Sequence, residues 1–151
     1  MTLGQVDAAP IETDIAVLSD LWEALPEAET VARRAVAAVA ARADIRVPPD
    51  AELSLALADD AMVRNLNRDY RAKDKPTNVL SFPAPHGPLL GDVIIAWETL
   101  LREAEEEGIT PADHLAHLTI HGLLHLLGYD DTKCPAKKIM RAKEKELLAI
   151  I

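Results

Sequence analysis

The chain has 151 residues and a formal net charge of −9, with 49% hydrophobic residues but only 3% aromatic ones. That length suits a single domain over residues 1–151, with a core of Leu, Ala, Val and Ile that needs no disulfide or metal to hold it, and the lone cysteine, Cys134, excludes an internal disulfide framework and fits a reducing cytosol. The acidic balance argues against indiscriminate nucleic-acid binding, no stretch approaches the length of a membrane span, and the opening segment, expected to be flexible over residues 1–10, lacks the basic and apolar regions of a secretory signal.

In chain order, residues 11–18 can form a strand. Residues 28–43 carry Val31, Ala32, Val36, Val39 and Ala40 at helical spacing in an Ala-rich context, until Val47, Pro48, Pro49 and Asp50 break the pattern. Leu53, Leu55 and Leu57 alternate with Ser54 and Ala56, which predicts a strand with one buried face. Asp59 or Asp60 can cap the next helix, running to about Tyr70 with Met62, Val63 and Leu66 pointing inward. Residues 71–77 form a basic loop in which Pro76 stops the helix, and 78–82 a short strand. Residues 83–88, rich in proline, read as a surface loop, 90–97 as another strand and 98–108 as a charged helix. Thr110 at N-cap, Pro111 at N1 and Asp113 at N3 open a further helix. A last helix over 135–148 is polar except for Ile139, Met140, Leu147 and Leu148. This order predicts one α+β domain, a small mixed four-stranded sheet covered by about five helices. The two strands around the proline loop are the expected antiparallel pair.

Two segments carry chemistry. The first is residues 121–131, HGLLHLLGYDD. His121 and His125 stand one helical turn apart on the same face, a spacing that lets two imidazoles grip one divalent ion. Gly128 supplies the left-handed residue that ends a helix, and Asp131 then returns as a candidate third ligand. The spacing resembles the metzincin zinc arrangement, so the helix is expected to be metzincin-like, but Gly122 stands where those proteases carry Glu as general base. His114 and His117 extend the same stripe, roughly 80° wide, and read as supporting or surface residues. The rest of the helix is apolar, so its polar stripe is expected to face a cavity. The second segment is basic: Arg64, Arg68, Arg71, Lys73 and Lys75 against Asp69 and Asp74. It reads either as a phosphate-binding patch or as an ordinary solvated helix face.

Residues 66–83, LNRDYRAKDKPTNVLSFP, followed by 90–96, LGDVIIA, and 121–130, HGLLHLLGYD, together resemble the YbeY endoribonuclease family, in order and at matching separation from about residue 11 to residue 149. The resemblance implies a bacterial, cytoplasmic, metal-dependent endoribonuclease specific for single-stranded RNA, engaged in maturing the 3′ end of small-subunit ribosomal RNA and in ribosome quality control. It implies His121 and His125 as metal ligands and Arg71 as the functionally required arginine. Lys73 and Lys75 would hold flanking phosphates, with Asn78 and Ser81 lining the cleft. It also implies small-subunit ribosomal proteins and an Era-type GTPase as partners.

The chain departs from the family where the motif ends, with Asp131 in place of a third His. A carboxylate is a competent zinc ligand, and it shifts preference toward Mn²⁺ or Mg²⁺, so zinc is the expected ion with those two as rivals. The alternative is that Asp131 points away and leaves a two-His site. Cys134 is a further, less favoured, candidate ligand. No residue of the motif is an obvious general base; Asp130 and His117 are candidates that read better as structural. Two other functions stay open: a non-catalytic ribosome-assembly factor with a structural metal, and a metalloprotease-like hydrolase.

Overall fold

The structure, a computed structural model, describes residues 10–151, so the expectation for residues 1–10 lies almost wholly outside the described residues. Strand β1 (Glu12–Val17) is followed by a 3-10 turn (Asp20–Ala24), helix α1 (Ala28–Ala40), strand β2 (Glu52–Ala58) and helix α2 (Asp60–Arg71). Strands β3 (Val79–Pro83) and β4 (Leu89–Ala96) come next, then helices α3 (Trp97–Glu107), α4 (Pro111–Leu126) and α5 (Ala136–Ala149). The strand order is β1-β2-β4-β3, with β1/β2 and β2/β4 parallel and β3/β4 antiparallel. The four-stranded mixed α+β architecture thus matches the sequence reading, and the antiparallel pair is the one around the proline loop. The 3-10 turn was not expected; Ser19 caps it and Trp22 anchors it, donating its indole N–H to the Ala58 carbonyl at 2.8 Å.

Side-chain alternation assigns the two faces of the sheet. Leu53, Leu55 and Leu57 of β2 and Val93 and Ile95 of β4 join Leu115, Leu123 and Leu124 of α4 in the main core. Leu80, Ile94 and Ala96 face the other way and pack on Val63 of α2. On β3 this parity leaves Ser81 on the α4 side, where its hydroxyl donates to the Gly122 carbonyl at 3.1 Å. The helix α4 is therefore laid across the sheet against edge strand β3.

That close approach explains Gly122. A Cβ at this position would lie 2.7 Å from Val93 Cγ1 and 3.1 Å from Ser81 Oγ. Contact between carbon atoms is optimal at roughly 3.5–4.0 Å, so only glycine lets α4 sit this close. The position that holds a general base in a zincin here faces the sheet.

Helix ends follow from local sequence. Asp59, not Asp60, caps α2, accepting from the Met62 amide at 2.9 Å, and Thr110 caps α4, accepting from the Asp113 amide at 3.0 Å. Of the residues expected to point inward from α2, Val63 is fully buried and Met62 and Leu66 only partly; the other buried residue is Asn67.

Candidate metal centre

The centre is built on the C-terminal end of α4. The Gly128 amide donates to the His125 carbonyl at 3.1 Å and the Tyr129 amide to the Leu124 carbonyl at 3.0 Å, the paired bonds of a Schellman stop. Gly128 takes φ +101°, a conformation that L side chains rarely adopt. Tyr129 packs against the main core and fixes where the chain leaves the helix. Asp130 then accepts from the Thr132 amide (2.8 Å) and hydroxyl (2.6 Å), an Asx turn; those bonds hold its carboxyl below the usual carboxylate range. Asp130 is therefore a turn residue, and its neighbour Asp131 is carried back over the helix.

Asp131 faces both imidazoles. Its Oδ2 lies 3.3 Å from His121 Nε2 and its Oδ1 lies 3.3 Å from His125 Nε2. One potential ligand atom from each of the three residues falls within 4.8 Å of the others, and all three side chains are half-buried. Each His–Asp131 separation, one to either carboxylate oxygen, matches the ligand–ligand edge of about 3.3 Å in a tetrahedral ion with bonds of roughly 2.0–2.1 Å. Two imidazoles and one carboxylate form a borderline donor set, acceptable to zinc and to manganese. Cys134 is exposed and does not belong to this group.

A cavity of about 570 Å³ opens beside the three residues. The residues expected to hold metal and RNA line it: Arg71, Lys73, Lys75, Asn78, Ser81, His121, His125 and Asp131; His114, His117, Asp130 and Cys134 do not. The basic cluster is thereby divided. Arg64 pairs with Asp74 at 2.8 Å and Arg68 with Asp69 at 3.2 Å, on the outer surface. Arg71, Lys73 and Lys75 face the cavity, and none of them forms an ion pair among the described residues. Arg71 ends α2 and is braced, donating from Nη2 to the Ser81 carbonyl at 2.6 Å and lying 5.3 Å from the centre of the Phe82 ring.

Three residues that sequence reasoning passed over shape the site. Asn67, 3% exposed, clamps the basic loop: its side-chain amide donates to the Lys75 carbonyl at 2.9 Å and its backbone carbonyl accepts from the Lys73 amide at 3.1 Å. It stands four residues after Val63, on the same face, and that spacing was the available signal. Glu103 of α3 accepts from the Asn78 side-chain amide at 3.0 Å and lies 2.8 Å from His114 Nε2. His114 is buried at 3% exposure, so of the two roles read for it, the surface one is corrected. Glu144 of α5 places Oε2 2.6 Å from His121 Nδ1 and Oε1 3.3 Å from His117 Nε2. Burial pushes the Glu144 carboxyl upward, but the two imidazole hydrogen bonds outweigh it and hold the group down at about 2. The same pairing raises His117 against the opposing effect of its burial. Glu144 is the only carboxylate on the stripe Met140, Glu144, Leu147, and that position between two apolar residues was the available signal.

Comparison with known proteins gives one consistent result. The family described as Endoribonuclease YbeY matches residues 20–151. A protein named Endoribonuclease YbeY from Azorhizobium caulinodans is 50% identical over 145 residues, covering 92% of this chain and 91% of its own. One of the same name from a Bradyrhizobium species is 48% identical over 147 residues, covering 91% and 86%. The solution structure of a Thermotoga maritima protein aligns with a TM-score of 0.55 at 25% identity, covering 91% of this chain and 86% of that one.

Proposed function

The chain belongs to the YbeY endoribonuclease family, metal-dependent hydrolases that act in ribosomal RNA processing, and from that premise we propose how its own residues carry the activity. His121, His125 and Asp131 hold one divalent cation, zinc before manganese or magnesium. The observation that carries this reading is the gathering of those three side chains beside a cavity also lined by Arg71, Lys73 and Lys75.

A bound ion would supply Lewis acidity at a phosphate oxygen and at an attacking water. The protein does the rest. Arg71, held by its bond to the Ser81 carbonyl, presents its remaining N–H donors to the scissile phosphate and stabilises the charge that develops there. Lys73 and Lys75 take neighbouring phosphates and set the path of the strand, with Asn67 fixing the loop that bears them. Asn78 and Ser81 are committed to Glu103 and Gly122, so they shape the wall and reach substrate only by exchanging those bonds. The cleft admits a single strand by this reading. Its substrate is the 3′ end of small-subunit ribosomal RNA, in the cytoplasm, with ribosome quality control as an associated duty and small-subunit proteins and an Era-type GTPase as partners. No helix among the described residues is long and apolar enough to cross a membrane.

One observation favours a second reading. Among the residues lining the cavity, Asp131 is the only carboxylate, so none of the lining carboxylates is free to act as a separate general base. A non-catalytic assembly factor with a structural metal would need none. Cleavage of a single-stranded ribosomal RNA fragment, with and without chelator, separates the two. Cleavage that is lost in chelator and in Arg71→Ala supports the nuclease reading. Stoichiometric metal with no cleavage by the unaltered protein sinks it in favour of the assembly factor.

A further inference from the structure

His121 has two ring nitrogens, and the fold engages both. Nε2 faces Asp131, while Nδ1 lies 2.6 Å from Glu144 Oε2. Glu144 is only 7% exposed and sits on α5 between Met140 and Leu147, both fully buried, so apolar docking of that helix delivers the carboxylate to the ring. Its second oxygen lies 3.3 Å from His117 Nε2, which keeps the carboxylate from rotating away. A buried carboxylate needs such partners, and these two imidazoles are the ones it has among the described residues.

We propose that Glu144 is a positioning residue for His121: by accepting a hydrogen bond from Nδ1–H it fixes the tautomer and ring orientation that leave the Nε2 lone pair free to bind a divalent cation. The inference rests on the metal reading above. A neutral imidazole carries one proton. Placed on Nε2, that proton would close the ring to a cation and turn the Nδ1 lone pair toward a carboxylate. Glu144 disfavours that tautomer and makes Nε2 a stronger donor, the role that carboxylates partnering metal-binding histidines play in general. His125 has no such carboxylate at its other nitrogen among the described residues, so the pairing with Glu144 is particular to His121. His117 supports it indirectly, through the carboxylate rather than through the cation.

The test is a competition titration of the metal-free full chain with zinc against a chromophoric chelator, which reads affinity without reference to cleavage. Glu144→Ala is expected to bind zinc about 10–100-fold more weakly than the unaltered protein. Glu144→Gln keeps an acceptor oxygen and a near-identical shape, so it is expected to fold and to lose less. Val63→Ala removes packing in the cluster on the sheet face opposite α4 and leaves α5 docked; its zinc affinity is expected to stay within about threefold despite a lower Tm. Nitrogen NMR of the zinc-loaded protein should show His121 protonated at Nδ1. Unchanged affinity in both Glu144 variants would overturn the proposal, as would a loss in Val63→Ala equal to that in Glu144→Ala. Absence of zinc binding by the unaltered protein is a different failure, which overturns the metal reading and this inference with it.

Discussion

Replacing Gly122 by alanine sets two opposed effects against each other, and the structure decides the sign. Gly122 lies inside α4, where glycine is less favourable than alanine by about 1 kcal/mol, so propensity alone predicts a gain. The new Cβ, however, would meet Val93 Cγ1 at 2.7 Å and Ser81 Oγ at 3.1 Å. Val93 cannot move aside: it is fully buried, stiff at χ1, and its strand is paired on both edges with β2 and β3. Ser81 Oγ is bonded to the Gly122 carbonyl itself. Overpacking of this kind costs about 1–3 kcal/mol, so the net change is a loss of about 1 kcal/mol, or roughly 2–4 °C in Tm. Thermal unfolding of metal-free protein followed by circular dichroism measures it. In a Val93→Ala background, the clash is relieved and the same substitution should become stabilising, a coupling of about 1 kcal/mol or more. A Tm raised by a few degrees in the Gly122→Ala single variant would refute the argument that α4 needs glycine there to approach the sheet.

Other outcomes follow from the same contacts. If Arg71, Lys73 and Lys75 each take one phosphate, the logarithm of single-strand affinity should fall against the logarithm of salt with a slope of about −2, and Lys73→Ala should make it shallower by about 0.7. Asn67→Ala leaves the Lys75 carbonyl without its donor and should cost about 1 kcal/mol of stability while weakening RNA binding several-fold; unchanged binding would argue against the clamp. Glu144 is held at about 2, below the usual 4.5, so its contribution to folding is complete above pH 4.5 and is lost as pH falls from there through 2. Acid titration of the metal-free protein should accordingly lose less Tm over that window in Glu144→Gln. Zinc at a hundredfold excess over its Kd should stabilise the fold by about 2.7 kcal/mol, so chelator should lower Tm by roughly 5–10 °C, and Asp131→Ala should abolish that response.

What could be read from the sequence was what is local. His121 and His125 announce themselves by a one-turn spacing, and the helix stop by Gly128. The alternation of Leu53, Leu55 and Leu57 gives the buried face of β2 directly. Caps were legible for the same reason, since Thr110 needs only the amide of Asp113 three residues on. The 3-10 turn at Asp20–Ala24 was missed because one short turn has no periodicity, and its anchor, the Ala58 carbonyl, is 36 residues away. Glu144 and Glu103 were missed because each meets its histidine only after helices pack, across 23 and 11 residues. The sequence shows Gly122 where a zincin carries Glu, but the reason for glycine there, the Val93 side chain of a central strand, belongs to tertiary packing alone.

The most direct test of the metal assignment is a crystal structure of the zinc-loaded protein with anomalous data collected on either side of the zinc edge. A single strong peak bonded to His121 Nε2, His125 Nε2 and an Asp131 oxygen is the predicted result. A crystal that shows no peak there, or an ion held by the two histidines with Asp131 turned away, would contradict it.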